Sequence, residues 1–330
     1  MSRDARCFSM ALLVACLLSM GASYRTQNFI VTADTPELAQ EIGDAAERFR
    51  RDLAIEWLGH ELPPWTDICP ITVQVAPHLG AGGATSFYFT HGRPHGWRMS
   101  LQGCRERVLD SVLPHEITHT IFATHFGRPL PRWADEGAST SVEHPGELAK
   151  QHRMLLNFLS TGRGIAFNKM FAMREYPRDI LPLYSQGYSL VKFLIAQGGK
   201  QKFIQYVGDG MNSGHWTAAT QRHYGYSSLG ELQQTWLSWV KQGSPVEPEA
   251  LAALTGAVAP SGTPADEPTT STSPSTDVAS AAEPSAASST NTLFAHPDNS
   301  WYARQRERIH QEDGPSSGSL RVDPPVSLLR

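Results

Sequence analysis

Leu38, Ile42, Ala45, Phe49 and Leu53 recur at intervals of three and four, which places them on one face of an α-helix. Ahead of them, Thr35-Pro36-Glu37 offers an N-cap residue and a proline at the first helical position, and the helix is expected to end near Gly59. The period then changes. Ile71-Thr72-Val73-Gln74-Val75 alternates strictly and predicts a strand. Ser86 to Thr90 with Trp97 to Leu101 predicts a hairpin around His91-Gly92-Arg93-Pro94-His95-Gly96. Further on the pattern is helical, with helices expected to open at Pro131 and to lie around 147–160, 185–197, 200–207 and 228–241. In the last, Ser228 and Glu231 form a capping box and Leu229, Leu232, Trp236 and Trp239 share a face. The expected class is α+β, a small mixed sheet followed by a mainly helical lobe.

Both ends of the chain break this pattern. Arg3 and Arg6 precede an apolar run from Phe8 to Met20 and then Gly21-Ala22-Ser23, the order of a secretory signal over residues 1–23. The run is too short to span a bilayer. Export to a periplasm or the extracellular space follows. Leu13-Val14-Ala15-Cys16 resembles a lipoprotein box, but Leu17 and Leu18 continue the apolar run, so a lipid anchor at Cys16 ranks behind simple export. From about Gln242 the composition turns to Pro, Ser, Thr and Ala, and the stretch 257–300 has too few large apolar residues for a core. Residues 244–330 therefore read as a disordered tail, leaving 24–243 as one folded unit large enough for its own core. Trp301 to His310 could form one or two amphipathic turns within it.

Composition narrows the partners. Of 330 residues 40% are hydrophobic and 18% charged, and the formal net charge is -4, which argues against nucleic-acid binding and a general membrane-surface role. Outside the leader only Cys69 and Cys104 remain, and they read equally as one disulfide or as two buried thiols.

The chemistry concentrates at His115-Glu116-Ile117-Thr118-His119. On a helix, histidines at i and i+4 project from the same face and can share one tetrahedral ion, while the glutamate, about 100° around the axis, reaches a water beside that ion as a general base. Pro114 is tolerated if Ser111 is the N-cap, because it then falls in the first turn. Two imidazoles and a carboxylate on one turn of an apolar helix would be costly to bury without a partner such as a metal.

A catalytic zinc needs a third protein ligand. His125 follows His119 by six residues, but Phe122 stands where a glycine would allow the sharp turn that brings such a ligand back, so His125 reads as an end-of-helix residue. Glu136 lies on the next predicted helix within Trp133-Ala134-Asp135-Glu136-Gly137. With the pentad, Trp133 and Glu136-Gly137 in hand, and Tyr184-Ser185-Gln186-Gly187 similar to a Tyr-x-Lys-Gly element, the chain resembles the gluzincin metallopeptidases, the group of thermolysin and aminopeptidase N. The resemblance spans roughly residues 36–241 and is specific between 111 and 190. It implies a zincin-like fold, zinc held by His115, His119 and Glu136, Glu116 as general base, and Tyr184 as donor to the oxyanion, with Tyr188 as fallback.

Several positions depart from that family's pattern. The interval from His119 to Glu136 is a little short, which keeps the adjacent Asp135 open as the residue that reaches the metal. Gln186 replaces the lysine, and no Gly-x-Met-Glu-Asn element precedes the pentad, so exopeptidase action is not implied. One turn past Glu136 lies Thr140, only a hydroxyl where a carboxylate would better orient a ligand histidine. His60, His78, His91, His95 and His144 have no ligand spacing and are expected at the surface or in loops.

The expected activity is hydrolysis of a peptide or protein substrate by a zinc-activated water. Two alternatives stay open: a non-catalytic zinc-binding or interaction protein that keeps a peptidase fold, and a zinc hydrolase of a non-peptide amide.

Overall fold

The computed structural model describes residues 21–255. Most of the expected leader and nearly all of the tail, including Trp301 to His310, lie outside the described residues. Residues 22 and 23, expected within the leader, belong to a strand.

The class is mixed α+β. Five strands, β1 (Ala22–Arg25), β2 (Phe29–Ala33), β3 (Cys69–Val75), β4 (Gly82–Thr90) and β5 (Arg93–Gly103), form one sheet in the order β1-β2-β3-β5-β4. β1 and β4 run antiparallel to their neighbours, while β2, β3 and β5 are parallel, with Val31 opposite Ile71 and Ile71 opposite Met99. The parallel step from β2 to β3 requires a crossover. Helix α1 (Pro36–Leu58) supplies it, capped by Thr35, whose hydroxyl accepts from the Leu38 amide, and stopped by Gly59 in the left-handed region at φ 82°. Cys69, Ile71 and Val73 are buried while Pro70, Thr72 and Gln74 are exposed, so one face of β3 meets the helices and the other meets solvent.

The two N-terminal strands were not foreseen, because both are short and β1 lies where the leader was expected. The hairpin turn is tighter than its sequence suggests. Only His91 and Gly92 make it, both at positive φ (49° and 74°), so the strands absorb Arg93 to Gly96.

Beyond the sheet the chain is helical: α2 (Leu113–Phe126), α3 (Arg132–Thr140), α4 (Pro145–Ser160), α5 (Phe167–Phe171), α6 (Leu181–Ala196), α7 (Gly199–Ser213), α8 (Trp216–Tyr224), α9 (Leu229–Lys241) and α10 (Pro248–Thr255). The last continues past the expected end of the fold, with Leu251 buried. No described helix is long and apolar enough to cross a membrane.

Ser111 does not cap α2. Helical backbone begins at Arg105, and Val108–Val112 form a π-helical turn in which the Leu113 amide donates to the Val108 carbonyl. Pro114 accounts for this, since within an α-helix its ring would strike the carbonyl four residues back and its missing N–H would leave that acceptor empty. A wider turn takes up both defects.

Two contacts fix how the helices stand. Trp133 is fully buried and stacks on Phe171 at 4.4 Å, anchoring α3 in the aromatic core. Where α3 crosses α6, a Cβ at Gly137 would lie 2.5 Å from the carbonyl carbon and oxygen of Gly187. The two backbones touch there, which is the physical reason for a glycine directly after Glu136.

Cys69 and Cys104 are free thiols. Gly103 pairs beside Val75, six residues along β3 from Cys69, so the two cysteines stand about 20 Å apart along the strands. No disulfide reaches that far.

Two measurements check this packing. Alanine at Gly137 gains about 1 kcal/mol of helix propensity but must push two helices apart, which costs about 1–3 kcal/mol; a net fall in Tm is expected. In alkylation followed by peptide mapping, Cys104, half-buried, should react in the native protein. Cys69, pushed by burial up to about 12, should react only on unfolding.

Candidate metal centre

Helix α2 carries His115 and His119 one turn apart, their ring centroids 5.0 Å apart, on a segment buried nearly all round. Two of its threonines find partners within the helix: Thr118 Oγ1 donates to the Pro114 carbonyl at 2.9 Å and Thr120 Oγ1 to the Ile117 carbonyl at 2.7 Å. α3 crosses beside it and delivers Glu136 to the pair.

The Nε2 atoms of His115 and His119 lie 3.6 and 3.8 Å from Glu136 Oε2, too long for hydrogen bonds. One ligand atom from each of the three residues lies within 4.8 Å of the others. Tetrahedral coordination at zinc distances needs ligand atoms about 3.4 Å apart. Glu136 Oε2 is buried with no hydrogen-bond partner, a costly position for a carboxylate oxygen unless a cation belongs beside it. The group could hold a metal ion, and among the described residues it is the only such cluster.

The far side of each imidazole meets a carboxylate. His115 Nδ1 is 2.8 Å from Glu143 Oε1, and His119 Nδ1 is 2.8 Å from Asp135 Oδ1 and 3.2 Å from Ser139 Oγ. An ionised carboxylate only accepts, so each Nδ1 carries a proton there and each ring turns its Nε2 toward Glu136. The neighbours differ in what they meet: Asp135 meets the far side of a histidine, and Glu136 meets both Nε2 atoms.

The arrangement also corrects the expectation of thin support, because the orienting carboxylates come from beside Glu136 and from beyond the end of α3. The buried Thr140 hydroxyl, by contrast, has no hydrogen-bond partner. Glu143 sits in the turn after α3, and that turn is tied to the π-helical segment where the His144 amide donates to Ser111 Oγ at 3.2 Å.

Charge follows the same geometry. Burial alone would lower His119, but the Asp135, Glu136 and Glu116 carboxylates outweigh it and hold it up at about 10. Burial would raise Glu136, yet the two histidines hold it well below the usual carboxylate range. The pocket is built for positive charge.

These groups open on a cleft of about 200 Å³. Edge strand β4 forms one wall, with Gly83, Thr85, Phe87 and Phe89 turned inward by its alternation. Glu116 lies against it: Thr85 Oγ1 donates to Glu116 Oε2 at 2.7 Å, and a Cβ at Gly83 would lie 2.6 Å from Oε1. Tyr184 lines the cleft, as does Tyr176, while Tyr188 is absent from its wall. The Tyr176 hydroxyl donates to Glu136 Oε1. Burial and then the Glu136 charge push that phenol well above its ordinary range, so it stays a donor. His125 is exposed at the end of α2, its ring against Phe126, and takes no part. His60, His78, His91 and His144 are exposed, and His95 lies half-buried on β5.

Thr85, Glu143 and Tyr176 carry no motif in the sequence. Strand alternation could have pointed to Thr85; no spacing points to the other two. Neither a scan against protein-family models nor a search of curated proteins finds a match.

If the carboxylates orient the ligands, Glu143→Gln and Asp135→Asn should each weaken zinc binding about 10–100-fold in competition with a chromophoric chelator. Thr140→Val should bind zinc as the wild type does.

Proposed function

We propose that this chain is an exported zinc peptidase of gluzincin type with a zincin-like fold. The observation that carries the reading is the convergence of two imidazole Nε2 atoms on an unpartnered carboxylate oxygen, with a second glutamate, Glu116, on the wall of the same cleft. Two histidines and one carboxylate are the donor set of catalytic zinc in several peptidases, and they leave a coordination position open.

Bound by His115, His119 and Glu136, zinc supplies a Lewis acid that polarises a carbonyl and acidifies water. The remaining work falls to side chains of the chain itself. Thr85 occupies Glu116 Oε2 and fixes the carboxylate, so Oε1 is the atom that takes the proton of the attacking water and returns it to the leaving amine. Tyr184, on the wall of the cleft, donates to the oxyanion that develops at the scissile carbonyl. Among the described residues β4 pairs only with β5, and its outer edge can hold an extended peptide by main-chain hydrogen bonds. Phe87, Phe89 and Leu130 give that peptide apolar surface beside the reacting bond.

A mixed peptide library tests the reading when incubated with the wild type, with the wild type plus chelator, and with Glu116→Gln. The wild type should cleave, the chelator should stop it, and Glu116→Gln should keep its zinc while losing about 10²–10⁴-fold in rate. Undiminished hydrolysis by the zinc-loaded variant would sink the mechanism. A library left intact by a zinc-loaded wild type would turn the reading toward a non-peptide amide or a binding role.

A further inference from the structure

The carboxylate of Glu136 has two oxygens in different surroundings. Oε2 faces both histidines and has no hydrogen-bond partner, whereas Oε1 accepts from the hydroxyl of Tyr176. Tyr176 lies between α5 and α6, outside any helix, and packs against both apolar clusters. Arg132 braces it further. Its guanidinium lies over the Tyr176 ring at 4.2 Å, and its Nη1 donates to the Tyr176 hydroxyl at 3.3 Å. Arg132 and Glu136 are one turn apart on α3, so Arg132, Tyr176 and Glu136 close a triangle on a single helix.

We propose that Tyr176, held by Arg132, is a positioning residue for the metal centre: it engages Glu136 Oε1 and thereby commits Oε2 alone to the cation. The proposal rests on the metal-site half of the functional reading and not on the peptidase half.

A glutamate side chain has three rotatable bonds and could swing either oxygen, or both, toward an ion between the two histidines. A hydrogen bond from a neutral phenol removes that freedom while leaving the negative charge in place. The Arg132 guanidinium stacked on the ring face adds a cation–π contact that holds the phenol in place. Tyr184 lines the same cleft, and Tyr176 packs against the apolar cluster that Tyr184 forms with Phe158, Ile180 and Leu181. What distinguishes Tyr176 is its hydrogen bond to Glu136 Oε1, which gives it a task toward the ligand, while the functional reading gives Tyr184 one toward substrate.

The test uses the full chain and metal binding as its readout, with no need for activity. Zinc affinity is measured by chelator competition, and the visible spectrum is recorded after cobalt(II) substitution, for the wild type, Tyr176→Phe, Arg132→Lys and Tyr184→Phe. Tyr176→Phe removes one hydroxyl and keeps the ring, and unfolding curves show whether it folds. It should bind zinc about 10–100-fold more weakly and shift the cobalt spectrum as Glu136 changes its coordination. Arg132→Lys, which loses the planar stacking group, should move both readouts in the same direction by less. Tyr184→Phe should match the wild type in both. Wild-type affinity and spectrum in a folded Tyr176→Phe would overturn the proposal alone. Equal losses in Tyr176→Phe and Tyr184→Phe would overturn it as well, because they would report general packing. A wild type that takes up neither zinc nor cobalt would overturn the metal site and this proposal together.

Discussion

Glu116, Asp135, Glu136 and Glu143 are gathered around two imidazoles in a largely buried pocket, and the placement of that negative charge constrains everything nearby. Carboxylates at such separations repel strongly once water is excluded. Each is therefore given its own partner: Glu143 and Asp135 take one imidazole N–H apiece, Glu116 takes the Thr85 hydroxyl, and Glu136 takes the Tyr176 hydroxyl on one oxygen only. The one buried oxygen left over is the one that faces both Nε2 atoms. The hydrogen bonds thus leave their residual charge at a single point.

Holding that arrangement needs rigid supports from separate parts of the chain. The sheet supplies β4 and, through Gly83, lets it approach Glu116 to contact distance. α2 supplies the histidines, α3 the opposing glutamate, and the backbone contact between Gly137 and Gly187 sets α3 against the helix that carries Tyr184. Ser111, in the π-helical turn, holds the loop that bears Glu143. Glycines at the crossings and aromatic rings around Trp133 divide the task, one kind of residue permitting close approach and the other preventing drift.

The legible parts of the sequence were those whose physics is local. α1 could be read from Thr35 to Gly59 because cap, proline and apolar period all act within a few residues. α9 could be read from Ser228 onward for the same reason. The pentad and Glu136 were legible as a motif, whose spacing reflects one helical turn and one helix crossing. Tyr176 and Glu143 were not, because each reaches its partner across a loop, 40 and 28 residues away in the chain. Ser111 misled for a related reason: its hydroxyl satisfies the His144 amide in space where it was expected to cap its own helix. The π-helical turn could not be anticipated either, since Pro114 reads as acceptable in a first turn and calls for a wider turn only once the helix begins upstream.

That wide turn has a rotational consequence. A π-helical turn takes one residue more than an α-helical turn, and one residue corresponds to about 100° about the helix axis. Everything downstream of Val112 is therefore turned by that angle relative to an uninterrupted helix starting at Arg105. Without the extra residue, His115 and His119 would still be one turn apart and still form a pair, but they would look away from α3. Their mutual geometry belongs to the pentad, while their heading belongs to the five residues before it.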